Sequence, residues 1–144
     1  MSNMPLLKLI VEYAILGLLL AMSMLAMAVA IERWRFYRHL VVRQYHSRAK
    51  LQKHLTKRLT IISSIASNAP YIGLLGTVFG IMLTFQTLGE SGDIDVKSIM
   101  TGLAFALKAT AMGIAVAIPC VFINNFLARQ VREKLADFDE LNGQ

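Results

Sequence analysis

Thr77 and Thr110 each stand deep inside a run of about twenty apolar residues, where hydrocarbon cannot solvate a hydroxyl. Residues 69–85 read APYIGLLGTVFGIMLTF, and residues 102–125 read GLAFALKATAMGIAVAIPCVFINN. A hydroxyl at that depth can hold a water, or hydrogen-bond a carboxylate on another helix and so shift its pKa. The same runs carry Lys108, Cys120, Asn124 and Asn125. The sequence has no glycine-rich phosphate loop, no nucleophile paired with a base and no paired carboxylates, so neither an enzyme nor a bound cofactor is expected. The chemistry on offer is hydrogen bonding and charge inside a bilayer.

Lys108 is the sharpest oddity. With the middle of its run near Gly113, it lies about 8 Å to one side of the centre. Either its stem snorkels to the interface, or its ammonium is held against a partner's carboxylate or lines a wet cavity. At about 100° per residue, Lys108 and Thr110 point roughly 160° apart. Thr110 shares a face with Ala106, Gly113 and Ala117, whereas Lys108 shares one with Phe105, Thr101 and Met112.

Small residues accompany the polar ones. Gly73, Thr77, Gly80, Thr84 and Thr87 recur at helical spacing, with Gly76 and Gly80 adding a GxxxG step. Gly102, Ala106, Ala109, Gly113 and Ala117 form a second such stripe. Residues this small let helices approach closely, which predicts tight helix packing and motivates a homo-oligomeric assembly. Pro70 is expected to cap or kink the first of these helices, and Pro119 to bend the second.

These residues need helices to position them. The chain has 144 residues, and only 17% are charged, which is low for a soluble domain and points to an integral membrane protein. Three spans are predicted, at about 14–31, 69–88 and 99–127, in one domain covering 1–144. The fold class is an all-α membrane protein of three helices that extend beyond the bilayer. The net charge of +6 is segregated: cations crowd residues 32–66 and follow the third span, while Glu90, Asp93 and Asp95 lie between spans two and three. This is the positive-inside pattern. It places the N-terminus outside, 32–66 and 128–144 in the cytoplasm and 89–98 outside, and it explains the cations without nucleic acid as a partner.

Residues 1–8 read as a short external lead with a turn near Pro5, and Glu12 beside Tyr13 as a hydrated carboxylate at the outer interface. Small residues at 26–30 resemble a signal-peptide cleavage site, but the weak cationic start and the cations after Ile31 favour a retained helix. Residues 31–40 continue the first helix. Leu51, Leu55, Leu59 and Ile62 form a stripe that either lies on anionic membrane lipids or packs on neighbouring helices below the membrane; with no breaker before span two, the stripe runs straight on, which favours packing. Val131, Leu135 and Phe138 extend the third helix. Residues 89–93 make a turn by composition. His39, His46 and His54 lack a carboxylate cluster, and the single cysteine forms no intrachain disulfide, so no metal site is expected.

The motifs carry a resemblance. Ala69-Pro70, Gly73-Leu74-Leu75-Gly76-Thr77-Val78, Gly80-Ile81-Met82 and Phe85 resemble the second-span signature of the ExbB/TolQ proton-channel family. Gly102, Ala104, Ala106-Leu107, Ala109-Thr110-Ala111, Gly113, Ala117-Ile118-Pro119, Val121 and Asn125 are similar to its third-span signature, and Ile31-Glu32-Arg33 to its exit from span one. The resemblance covers all three spans in order. It implies an inner-membrane motor of Gram-negative bacteria: a ring, usually pentameric with a hexamer as the alternative, around the single transmembrane helices of an ExbD- or TolR-like dimer. Proton flow then energises TonB- or TolA-dependent work at the outer membrane. Thr77 and Thr110 match the family threonines that line the channel near a partner aspartate. One departure stands out: the family's third-span glutamate falls on Phe105, which carries no proton, and Lys108 adds a charge three residues on. The compact loop favours the ExbB branch, with an ExbD-like and a TonB-like protein as partners. A TolQ-like role in envelope maintenance, or a scaffold without its own proton role, is the alternative.

Overall fold

The structure, a computed structural model, describes residues 3–92 and 94–143. It holds four α-helices: α1 (Asn3–His39), α2 (Arg48–Leu55), α3 (Leu59–Ser91) and α4 (Val96–Leu141), with a 3-10 turn at Val42–Gln44. Among the described residues, α1, α3 and α4 are long and apolar enough to cross a membrane. The exposed side chains in their apolar stretches include Leu20, Met24, Leu74, Met82, Phe85, Leu107, Ile118 and Phe122. Apolar residues this dense on the outside suit hydrocarbon and not water. The chain is thus an all-helical membrane protein with three apolar helices. At 46 residues, α4 extends about 69 Å, well over twice the hydrocarbon thickness, so much of it stands clear of the bilayer.

α1 starts at Asn3, which corrects the expected lead: Pro5 falls in the first turn, where a residue without an N–H breaks no helical bond. The inward stripe of α1 is continuous. Lys8, Glu12, Ile15, Leu19, Met22, Ala26, Val29, Arg33 and Tyr37 recur at steps of three and four, and all are buried or half-buried.

The expected unbroken run from Leu51 into span two is also corrected. α2 ends at Leu55, and Arg58 takes a left-handed backbone (φ 68°) before α3 begins. The break needs no glycine or proline, because other groups satisfy the freed carbonyls at the end of α2. Arg33 Nη1 donates to the His54 carbonyl at 2.7 Å, Tyr37 Oη donates to the Leu55 carbonyl at 2.5 Å, and the Thr56 hydroxyl donates to the Gln52 carbonyl. Arg33 is only 3% exposed, pairs with Glu32 through two hydrogen bonds of 2.7 Å, and stacks over Phe36. Those bonds hold the Glu32 carboxyl below its ordinary value, against a smaller opposing effect of burial, with Arg58 and Lys57 adding to the shift. Leu51, Leu55 and Ile62 are fully buried with Tyr37, Leu127, Val131, Leu135 and Phe138, and Leu59 packs against them. The stripe therefore packs on α1 and α4.

Between α3 and α4, the helix runs through Gly89–Ser91, further than the expected turn, and the chain reverses after Gly92. Gly92 adopts φ 70°, a left-handed helix ending that suits glycine. The Asp95 carboxylate accepts the Lys97 N–H and starts α4. Asp93, counted among the acidic residues of this hairpin, lies outside the described residues. Both α3 and α4 continue through their internal prolines, Pro70 and Pro119.

Candidate functional site

α3 and α4 form the most extensive pairing in the molecule, and small residues set its closeness. A Cβ added at Gly73 would stand 2.6 Å from the Ala109 carbonyl oxygen and 3.0 Å from the Gly113 Cα. One added at Gly113 would stand 2.6 Å from the Ala69 carbonyl oxygen. Gly80 meets Ala106, Gly102 meets the Thr84 side chain, and Gly76 lies against Ala109 and Ile15 of α1. The two stripes pack on each other within one chain. The close packing that the small residues predict is thus met within one copy of the chain. Pro119 is exposed and takes no part in this contact.

The threonines meet where the helices cross. The Thr77 hydroxyl contacts the Thr110 hydroxyl directly and donates to the Ala106 carbonyl at 2.9 Å. The Gly73 carbonyl lies 3.4 Å from both hydroxyl oxygens. Thr77 is buried and Thr110 half-buried. Two hydroxyls and two backbone carbonyls thus gather in the middle of an apolar bundle, a cluster that can pass hydrogen bonds between α3 and α4. Thr84 bonds back to the Gly80 carbonyl, and exposed Thr87 to the Leu83 carbonyl.

Phe105 and Lys108 lie on another face of α4, away from this pair. Phe105 is 45% exposed, and the Lys108 Nζ sits 5.9 Å from its ring centroid. A second ammonium, Lys8 Nζ of α1, lies 5.8 Å from the same ring and donates to the Thr84 hydroxyl at 3.4 Å. Two cations near one ring exploit the negative charge on its face.

The sequence reading missed Lys8 and misplaced Glu12. Glu12 turns inward and lines a small cavity with Lys8, Val11, Ile15, Gly76, Gly80 and Phe105. The apolar residues Leu6, Leu7, Leu9 and Ile10 continue past it on the outside of α1, so Glu12 is not at the end of the apolar surface. The spacing Lys8–Glu12–Ile15–Leu19 was the available signal. Of the other polar residues, Cys120 is buried among Ala26, Ile65 and Ala66, Asn124 is half-buried and Asn125 exposed. No group of three or more His, Cys, Asp or Glu among the described residues is placed to hold a metal.

The pattern of small and polar residues on α3 and α4 has known counterparts. Residues 41–140 match the MotA/TolQ/ExbB proton channel family. The chain belongs to that family. It is 55% identical over 137 residues to the biopolymer transport protein ExbB of Aquifex aeolicus, covering 95% of this chain and 93% of that one. It is also 55% identical over 123 residues to the putative biopolymer transport protein ExbB-like 2 of Helicobacter pylori, covering 85% of this chain and 82% of its relative. A Helicobacter pylori protein named ExbB is 48% identical over 128 residues, 89% of this chain and 88% of its own. The matched region holds every residue of the threonine cluster and of the α3–α4 crossing, while all of α1, with Lys8 and Glu12, precedes it.

Proposed function

We propose that the chain is an ExbB-like subunit of a proton-driven motor in the inner membrane of a Gram-negative bacterium, energising TonB-dependent transport across the outer membrane. In this reading, copies assemble as a ring around the transmembrane helices of an ExbD-like partner, with the N-terminus periplasmic and the C-terminus cytoplasmic. The observation that carries it is the Thr77–Thr110 pair, made at the crossing of two helices whose sequences match a proton channel family. Relatives at 55% identity named ExbB favour this role over a TolQ-like one. The charge pattern supports the orientation, since cations gather around α2 and after the apolar part of α4.

Thr77 and Thr110 act on a carboxylate of the partner, whose ionisation a hydroxyl or the water it holds can shift. Lys108, exposed on the other face of α4, acts through charge on the same carboxylate or snorkels to the interface. The test is co-purification from membranes with an ExbD-like and a TonB-like protein co-expressed, beside a TolR-like protein as competitor. The ExbD-like protein is expected to be retained. Retention of the TolR-like protein instead would favour the TolQ-like role, and retention of neither would contradict the assembly.

A further inference from the structure

α1 carries a carboxyl inside the apolar belt. Glu12 occupies the inward stripe between Lys8 and the buried Ile15, while Leu6, Leu7, Leu9 and Ile10 extend the outward apolar surface beyond it. Its depth follows from its neighbours. Ile15 lies against Gly76, and Glu12 shares its cavity with Gly76, Gly80 and Leu83 of α3 and Phe105, Ala106 and Ala109 of α4. Gly80 is near the middle of the second span. The cavity, of about 20 Å³, has room for roughly one water. Among the described residues no ion pair engages Glu12. An ionisable group kept at this depth is costly unless it works, and it normally faces protein or a wet cavity.

We propose that Glu12 is the proton-carrying acid of this chain, and that it does from α1 what an acid at position 105 of α4 would do. The inference rests on the proton-driven reading above. The carboxylate takes a proton from cavity water and becomes a neutral acid, and the acid later returns the proton to water, so no bond other than O–H is made or broken. The charged groups around it are Lys8 on its own helix and Lys108 of α4 across the Phe105 ring. α3 contributes no charged side chain to the cavity lining. Lys8 lines the same cavity, its ammonium directed at the Phe105 ring and the Thr84 hydroxyl. The cavity adjoins the threonine pair, because Ala106, which lines it, also supplies the carbonyl that accepts the Thr77 hydroxyl.

Position 105 lies in the same cavity within reach of both lysines, so an acid there would meet similar surroundings. The experiment is uptake of a TonB-dependent substrate by cells that make this chain as their sole ExbB-like protein, together with its ExbD-like and TonB-like partners. Membrane content of each variant is measured in parallel. Glu12→Gln is expected to insert at the wild-type level and to lower protonophore-sensitive uptake at least ten-fold. Adding Phe105→Glu to Glu12→Gln is expected to raise it again at least three-fold, and Glu12→Asp to retain most of it. Wild-type uptake in Glu12→Gln would overturn the proposal. A loss that Phe105→Glu does not relieve would also overturn it, and would mark Glu12 as a packing residue. If the unaltered chain gives no protonophore-sensitive uptake, the motor reading itself fails, which is a separate outcome.

Discussion

Two hydroxyls and one lysine define the α3–α4 region at the scale of single residues. Thr77 donates to the Ala106 carbonyl and contacts Thr110, so valine at both positions keeps shape while removing the hydrogen bonds. Each lost bond is worth about 1 kcal/mol, too little to unfold the bundle. The double variant is therefore expected to assemble while proton-dependent uptake falls severalfold, as measured in cells with wild-type membrane content. Lys108 is exposed and separated from the threonines, so its effect is electrostatic. If its charge favours the ionised form of a partner carboxylate, Lys108→Met raises that pKa, and the pH profile of transport shifts upward. An unshifted profile assigns the lysine to snorkelling. The threonines were legible in the sequence because polar groups stand out in apolar runs. Glu12 is not legible, because the composition of residues 1–8 reads as a lead and the apolar run reads from 14. Only the helix from Asn3, with Leu6, Leu7, Leu9 and Ile10 facing outward, puts the carboxyl inside the apolar stretch.

At the scale of elements, the α3–α4 crossing and the α2 ending make opposite demands. The crossing depends on missing side chains: a Cβ at Gly73 or Gly113 would meet backbone, which cannot swing aside. Gly73→Ala and Gly113→Ala should each destabilise by about 1–3 kcal/mol, whereas Gly17→Ala, with open space around it, should be neutral or stabilising by up to about 1 kcal/mol. Thermal unfolding in mild detergent orders the three variants. The α2 ending depends on Arg33 and its partner Glu32. Because the folded-state pKa of Glu32 lies below its ordinary value of 4.5, its contribution is present above that value and is lost as pH falls through the folded one. Glu32→Gln should therefore melt below the wild type near neutral pH, about 7, with the difference closing as the medium is acidified past 4.5. A difference constant with pH would contradict the pairing. The three spans and the stripe from Leu51 to Ile62 were legible from periodicity. The break at 56–58 was not, since no local residue announces it and buried Arg33, more than twenty positions earlier, satisfies the end of α2.

The whole molecule is a bundle packed closely around α2 at one end and apolar on the outside along its three long helices. Most of the small residues are engaged inside the chain, so an assembly of copies would draw on the outer faces, where Phe79, Phe85, Phe122 and Phe126 are exposed. Native mass spectrometry in mild detergents is expected to find a closed ring of five or six copies, and a chain that stays monomeric throughout would contradict assembly. The sequence motif showed that small residues pack, but not against what, because a stripe looks the same whether its partner belongs to the same chain or another. The central claim is that proton-driven work passes through the threonine layer. The most direct measurement is protonophore-sensitive uptake of a TonB-dependent substrate in cells whose only ExbB-like protein is this chain, wild type or with Thr77→Val and Thr110→Val together. The account predicts uptake with the wild type, its abolition by protonophore, and a severalfold loss in the double variant at equal membrane content. Undiminished, protonophore-sensitive uptake in the double variant would contradict it.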